Sequence, residues 1–294
     1  VGGYFGARLA NAGYDVSFIA RGEHLKAIKN NGLKIISELG DMIIHPAKAS
    51  DNPADFEIAD IVLFCVKSYD TESSSNLIKP IVGQNTAVIP FLNGIGHIEI
   101  MQKILGKNSV IGGVAAISAL ISEPGVIQHN SAMQMLKFGE FNNIISPRIK
   151  AFQEACEKSG INNNIPENIE CDIWQKIIMI CTLAGANCIT RLPLGVCRTN
   201  PATRNFMKNL AEEAVEIAKA ENIILPDNQV EITMKQLDSL PEAMKASTLP
   251  ALEKGEKLEA SALNGAISIL GNKHEINTPA HKAVYAALSP HENG

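Results

Sequence analysis

The stretch Asp60-Ile61-Val62-Leu63-Phe64-Cys65-Val66-Lys67 restricts the fold more than any other, being an unbroken apolar run closed by a lysine. A half-exposed strand alternates apolar and polar residues. A continuous run reads instead as a strand covered on both faces, the situation of a parallel sheet flanked by helices. Segments 15–20, 86–92 and 110–118 have the same strand character, and 23–31 and 98–105 carry helical periodicity between them. Strand-helix alternation predicts an α/β domain with a doubly wound sheet. Segments 126–129 and 135–139 read as antiparallel strands that finish it. Beyond Pro166 the periodicity turns helical, with long segments expected at 172–190, 201–222 and 250–270. Pro201 and Pro250 suit first-turn positions, where a missing N–H costs nothing. The run Ile161-Asn162-Asn163-Asn164-Ile165-Pro166 is the expected hinge, so the domains are expected at 1–162 and 163–294.

Two domains suit a chain of 294 residues. With 31 acidic against 26 basic residues and no basic block, a nucleic-acid partner is not expected. The longest apolar runs, such as Ile61–Val66, are far too short to span a bilayer. No signal peptide is evident, and a cytoplasmic protein without a membrane partner is the expectation. The six cysteines form no CxxC pair and the seven histidines no ligand spacing, so neither a metal site nor a disulfide framework is expected. Oligomeric state is not legible, and a homodimer stays open. The chain opens with Val1-Gly2-Gly3-Tyr4-Phe5-Gly6-Ala7-Arg8-Leu9, which reads as a helix. A strand and part of a glycine loop are expected ahead of it.

Several positions could carry chemistry. Gly2, Gly3 and Gly6 open the first helix, and glycines there let a backbone approach a pyrophosphate; tight packing of a helix on a sheet is the other explanation. Arg21 ends the second strand-like run, where an acid would select a ribose 2′-hydroxyl and an arginine accommodates a 2′-phosphate. A solvated loop arginine is the plain alternative; with the glycines, NADP(H) is favoured. Lys67 and Asn93 end two further strands, where open α/β sheets bind ligands, although Asn93-Gly94 also suits a simple turn. Lys176 shares a helical face with Ile180, Ala184 and Asn187, and Glu259 a stripe with Leu252 and Leu263. A charge on an apolar stripe is costly unless it snorkels, pairs or functions.

Together these residues resemble the ketopantoate reductase (2-dehydropantoate 2-reductase) family. The resemblance runs through Gly2–Leu9, Ile19-Ala20-Arg21-Gly22-Glu23-His24-Leu25, Val66-Lys67 and Asn93-Gly94. It continues through Trp174-Gln175-Lys176, Thr190-Arg191-Leu192-Pro193, Ser247, Glu259 and Leu263-Asn264-Gly265. It implies an N-terminal Rossmann-type domain, an all-α C-terminal domain and an active site between them. It further implies NADPH-dependent reduction of ketopantoate to pantoate, on the route to pantothenate and coenzyme A. By position, Gly2 belongs to the phosphate loop and Arg21 to the 2′-phosphate site, with Lys67, Asn93 and Ala119 along the cofactor. Lys176 matches the catalytic proton donor, Ser247 and Asn93 substrate contacts, and Glu259 a glutamate near ribose and substrate.

Three positions depart from the family's pattern. Ile180, Ala184 and Leu194 stand where its best-known members carry substrate-binding asparagines. Asn187 is expected to replace part of that hydrogen bonding. A relative acting on another 2-keto acid, or a non-catalytic NADP-binding sensor, are the competing readings. Retention of Lys176, Ser247 and Glu259 argues against the sensor, since binding alone needs no proton donor.

Overall fold

Helix α1 (Gly2–Asn11) buries Tyr4, Phe5, Ala7 and Leu9 and leaves no room for a side chain at Gly6, where a Cβ would lie 2.7 Å from the Phe18 ring. That contact presses α1 onto strand β1 (Ser17–Ile19), which runs into helix α2 (Gly22–Asn31). The computed structural model describes residues 1–294 and divides into two units. The first comprises Val1–Leu92 with Ile98–Ile169, the second Asn93–His97 with Glu170–Gly294.

In the first unit, three short strands follow α2: β2 (Leu33–Ser37), β3 (Met42–Ile44) and β4 (Lys48–Ser50). They escape a periodicity reading because each has only three to five residues, too few to show a period. Then come β5 (Ala59–Phe64), α3 (Thr71–Leu77), β6 (Val82–Pro90), α4 (His97–Leu105, whose first residue belongs to the second unit), β7 (Gly112–Glu123), β8 (Val126–Gly139), α5 (Pro147–Lys158) and β9 (Asn163–Asn164). Strand β1 pairs in parallel with β4, and β5 with β6. The third ladder is mixed: β2 runs parallel to β8 and antiparallel to β3, while β7 and β8 form a long antiparallel hairpin. Val88 of β6 exchanges backbone hydrogen bonds with Ser109 and Ile111, carrying the sheet toward β7. The core beneath contains Tyr4, Phe5, Ile35, Ile89, Leu136 and Phe138, all without solvent exposure. The domain is therefore mixed α/β, as the alternation predicts.

Residues 161–166 fall inside the first unit. Ile161 is buried in this core, and β9 pairs with Leu136 and Lys137 of β8. The chain changes unit between Ile169 and Glu170. Three consecutive asparagines look like a linker, but here their backbone extends a sheet.

The second unit is helical: α6 (Ile169–Thr190), α7 (Leu194–Thr199), α8 (Pro201–Ala220), α9 (Gln229–Ser239), α10 (Thr248–Lys254), α11 (Asn264–Lys273) and α12 (Pro279–Leu288). Asn200 caps α8 through its side-chain oxygen on the Ala202 and Thr203 N–H groups, with Pro201 at the first position. Helix α6, with 22 residues, is long and apolar enough to cross a membrane by composition, contrary to the sequence reading. Within the protein, 67% of its most apolar window is buried, as befits a core helix.

The single helix expected at 250–270 is also corrected. Gly255 takes the left-handed conformation (φ 65°, ψ 32°) that ends α10. Extended residues and a 3-10 turn, Ala260–Ala262, separate it from α11. Glu259 consequently lies outside any helix, and the stripe it was expected to share with Leu252 and Leu263 does not exist.

Candidate functional site

Four of the candidate residues lie in the first unit. Gly2 starts α1, and a Cβ there would stand 3.2 Å from Cβ of Cys65, just past the end of β5. Lys67, two residues on, is exposed and precedes a 3-10 turn. The glycine helix and the β5 terminus are thus held together by a close approach that a side chain would crowd. Arg21 is exposed at the N-cap of α2, its backbone extended (φ −137°), just beyond the carboxyl end of β1. Gly22 follows with φ +55°. Ala119 lies half-buried in β7 opposite His129, next to a register shift after Ile117. An accessible arginine at the end of β1, an exposed lysine after β5 and a glycine-led helix are groups of a kind that can meet an anionic dinucleotide.

The other four lie in the second unit. The loop Asn93–His97, which follows β6, contains Gly94 at φ +99° and Gly96 at φ +90°. A Cβ on Gly94 would come within 2.4 Å of the Ala262 carbonyl oxygen, and Ile95 N–H donates to that same oxygen at 3.2 Å. The Asn93 loop is therefore seated on the turn that directly follows Glu259, which is half-buried. Lys176 is half-buried on α6, between the buried pairs Ile173–Trp174 and Ile177–Ile178. Ser247 is exposed at the N-cap of α10. Its neighbour Ala246 donates its N–H to Oδ1 of Asn187 at 2.9 Å.

That bond corrects the role expected of Asn187. The residue has no solvent exposure, and its amide also donates to the Leu192 carbonyl at 2.8 Å. Its hydrogen-bonding capacity is used in holding the chain on either side, so it is a structural residue and not a substitute substrate ligand. Ala184 and Leu194 are likewise buried, in an apolar cluster with Leu183, Cys197, Met207 and Leu237. Ile180 is half-buried.

Sequence reasoning missed one residue beside Lys176. His97, at the start of α4, is 6% exposed, and no hydrogen-bond partner meets its Nδ1. Burial, reinforced by the Lys176 ammonium, pushes its pKa down to about 4. The signal available was its place four residues after Asn93, at the end of a loop punctuated by two glycines. Elsewhere in the unit, Glu213 accepts the N–H groups of Ala280 and His281. His281 Nδ1 meets the Asn264 amide, and its Nε2 the Leu210 carbonyl. These satisfied contacts are structural. All six cysteines are free thiols, and burial raises Cys156 and Cys188 to about 12, which keeps them unreactive.

A family model described as ketopantoate reductase PanE/ApbA matches residues 1–143, and its C-terminal counterpart matches residues 168–292. The chain is 31% identical over 292 residues to YkpB, an uncharacterized oxidoreductase of Bacillus subtilis, covering 99% of this chain and 96% of that protein. It is 28% identical over 310 residues to a 2-dehydropantoate 2-reductase of Mesorhizobium japonicum, covering 98% and 94%. The crystal structure of a PanE/ApbA family ketopantoate reductase from Ralstonia eutropha superimposes with a TM-score of 0.90 at 28% identity, covering 99% of this chain and 95% of that one.

Proposed function

The chain belongs to the ketopantoate reductase family of oxidoreductases, and from that premise we propose that it uses NADPH to reduce a branched 2-keto acid, with ketopantoate as the leading substrate. The observation that carries this reading is the setting of Lys176. It is a half-buried cation on an apolar helix, beside a histidine that burial keeps neutral.

Arg21 is assigned to the 2′-phosphate and Gly2 to the pyrophosphate, with Lys67, Asn93, Ala119 and Glu259 along the cofactor. Asn93, Lys176 and Ser247 contact the substrate. Bound NADPH supplies the hydride that reduces C2. Lys176 Nζ holds a proton at the C2 oxygen and donates it as that oxygen becomes an alkoxide, so that one ammonium stabilises the charge and then quenches it. The apolar side chains around α6 lower the local dielectric and strengthen that interaction. Glu259, at the turn under the Asn93 loop, acts with Lys176 in the chemistry by orienting ribose and substrate.

A second reading is favoured by Ile180, Ala184 and Leu194: a relative that prefers a branched acid with an apolar tail. Loss of NADPH absorbance across a panel of 2-keto acids, measured with the full-length chain, tests both. Turnover is expected with ketopantoate or a branched analogue. A chain that bound NADPH but reduced none of the panel would sink the reading in favour of the sensor.

A further inference from the structure

His97 and Thr278 are the residues of the helical unit with a buried side-chain polar atom that meets no partner. Thr278 packs on Gly271 and has a bland explanation. His97 does not: it is 6% exposed, the Lys176 ammonium is near enough to act on it electrostatically, and the loop leading to it is hydrogen-bonded to the Ala262 turn. Ile95 N–H donates to the Ala262 carbonyl and Gly94 has no room there for a side chain, so the backbone leading to His97 is held against that turn. An orphaned buried nitrogen of this kind costs on the order of 1–3 kcal/mol, and such groups persist where a ligand completes them.

The chemistry narrows what that ligand offers. His97 opens α4, and the positive end of a helix disfavours an imidazolium just as burial does. At neutral pH the ring is therefore uncharged, with one nitrogen a donor and the other an acceptor. A neutral donor adds a hydrogen bond beside Lys176 without setting a second cation against the ammonium. Neutral histidines at helix N-termini polarise carbonyl substrates in other enzymes. The head of a 2-keto acid presents only acceptor oxygens, so the matching tautomer carries its proton on Nδ1. The three apolar residues Ile180, Ala184 and Leu194 offer no side-chain donor.

We propose that His97 is a substrate-contacting residue whose neutral Nδ1–H donates a hydrogen bond to the carboxylate–carbonyl head of the 2-keto acid. This rests on the function proposed above and extends it to a residue outside the family positions already assigned.

The test uses oxamate, an unreactive mimic of a 2-keto acid head, titrated by calorimetry into the NADPH complex of wild type, H97L and H97N. Steady-state kinetics on the best substrate accompany it. H97L is expected to weaken oxamate binding and raise KM by roughly 10- to 100-fold, the range of a hydrogen bond to a charged group. NADPH affinity is expected to stay within about twofold, which also reports an intact fold. H97N places an amide N–H near the position of Nδ1 and is expected to recover most of the loss. Wild-type oxamate binding in H97L, or H97N no better than H97L, overturns the inference. Should H97L not fold, H97N against H97D decides, because an aspartate carboxylate there offers acceptors only; equal oxamate binding by the two overturns it. A wild type that reduces no 2-keto acid and binds no oxamate overturns the functional reading and this inference together. A wild type that does both, with H97L unchanged, overturns this one alone.

Discussion

The candidate residues of the two units live in different surroundings. In the sheet unit, Arg21 and Lys67 are exposed just past strand ends, the first at the N-cap of α2 and the second at that of a 3-10 turn. In the helical unit, Lys176 is half-buried on an apolar helix and His97 is almost wholly buried. Under the proposed function the difference matches what each would handle. Exposed guanidinium and ammonium groups can meet a large, highly charged ligand without either side being stripped of water beforehand. A proton donor works best where little water competes and a developing charge is weakly screened. If this division is real, substitutions in the two units alter different measured quantities.

The largest separation is expected at Lys176. Lys176→Ala should lower kcat by ~10²–10⁴-fold, the usual worth of a positioned general acid, with NADPH affinity nearly unchanged. Near-normal turnover in that variant would reduce Lys176 to a helix lysine that snorkels to solvent.

Acid comes next, and it should strike the helical unit through its buried histidines. His97 and His281 are both held near 4, against an ordinary value of 6.5. Between those values the unfolded chain takes up protons that the folded chain refuses. Stability is therefore full above about pH 6.5 and falls as pH drops toward 4, by up to about 3 kcal/mol for each histidine. Trp174, the single tryptophan, lies in this unit and reports its unfolding by fluorescence. A urea midpoint that does not move between pH 7 and pH 4.5 would contradict the assignment of both histidines as neutral.

Arg21→Ala is the counterpart in the sheet unit. It should weaken NADPH by roughly one to two decades, leave NADH almost untouched, and spare kcat at saturating cofactor. Equal wild-type affinity for the two cofactors would remove the 2′-phosphate assignment.

The smallest effect concerns substrate choice. With Ile180, Ala184 and Leu194 apolar, each absent hydrogen bond removes about 0.5–1.5 kcal/mol of preference for a hydroxyl-bearing acid. The ratio of kcat/KM for ketopantoate to that for 3-methyl-2-oxobutanoate is expected to be no more than about tenfold. A ratio of several thousand would mean that other side chains take over the missing contacts.

Legibility in the sequence differed along the chain for physical reasons. Strand β5 and helix α6 were readable because their apolar residues follow one another in an unbroken record, although in β5 only Phe64 is fully buried. Strands β2, β3 and β4 were not, because short edge and pairing strands owe their existence to partners far away in sequence. The break between α10 and α11 turned on Gly255, whose positive φ looks from sequence like an ordinary tolerated glycine. Lys176 stood out as a charge in an apolar helix, whereas His97 carried no such contrast within its loop.

By itself the sequence determined the alternation of strand and helix, the change to all-helical periodicity, and the family to which the residues belong. Those are properties of local pattern and spacing, written in neighbouring residues. What Asn187 binds, where Glu259 sits, and that His97 is neutral and unsatisfied were decided only by the tertiary structure. A side chain's partners and its loss of water come from segments tens to more than a hundred residues away, as when Asn187 meets Ala246 or Ile95 meets Ala262. Periodicity says which face of a helix is buried; it does not say which polar group on that face will find a partner.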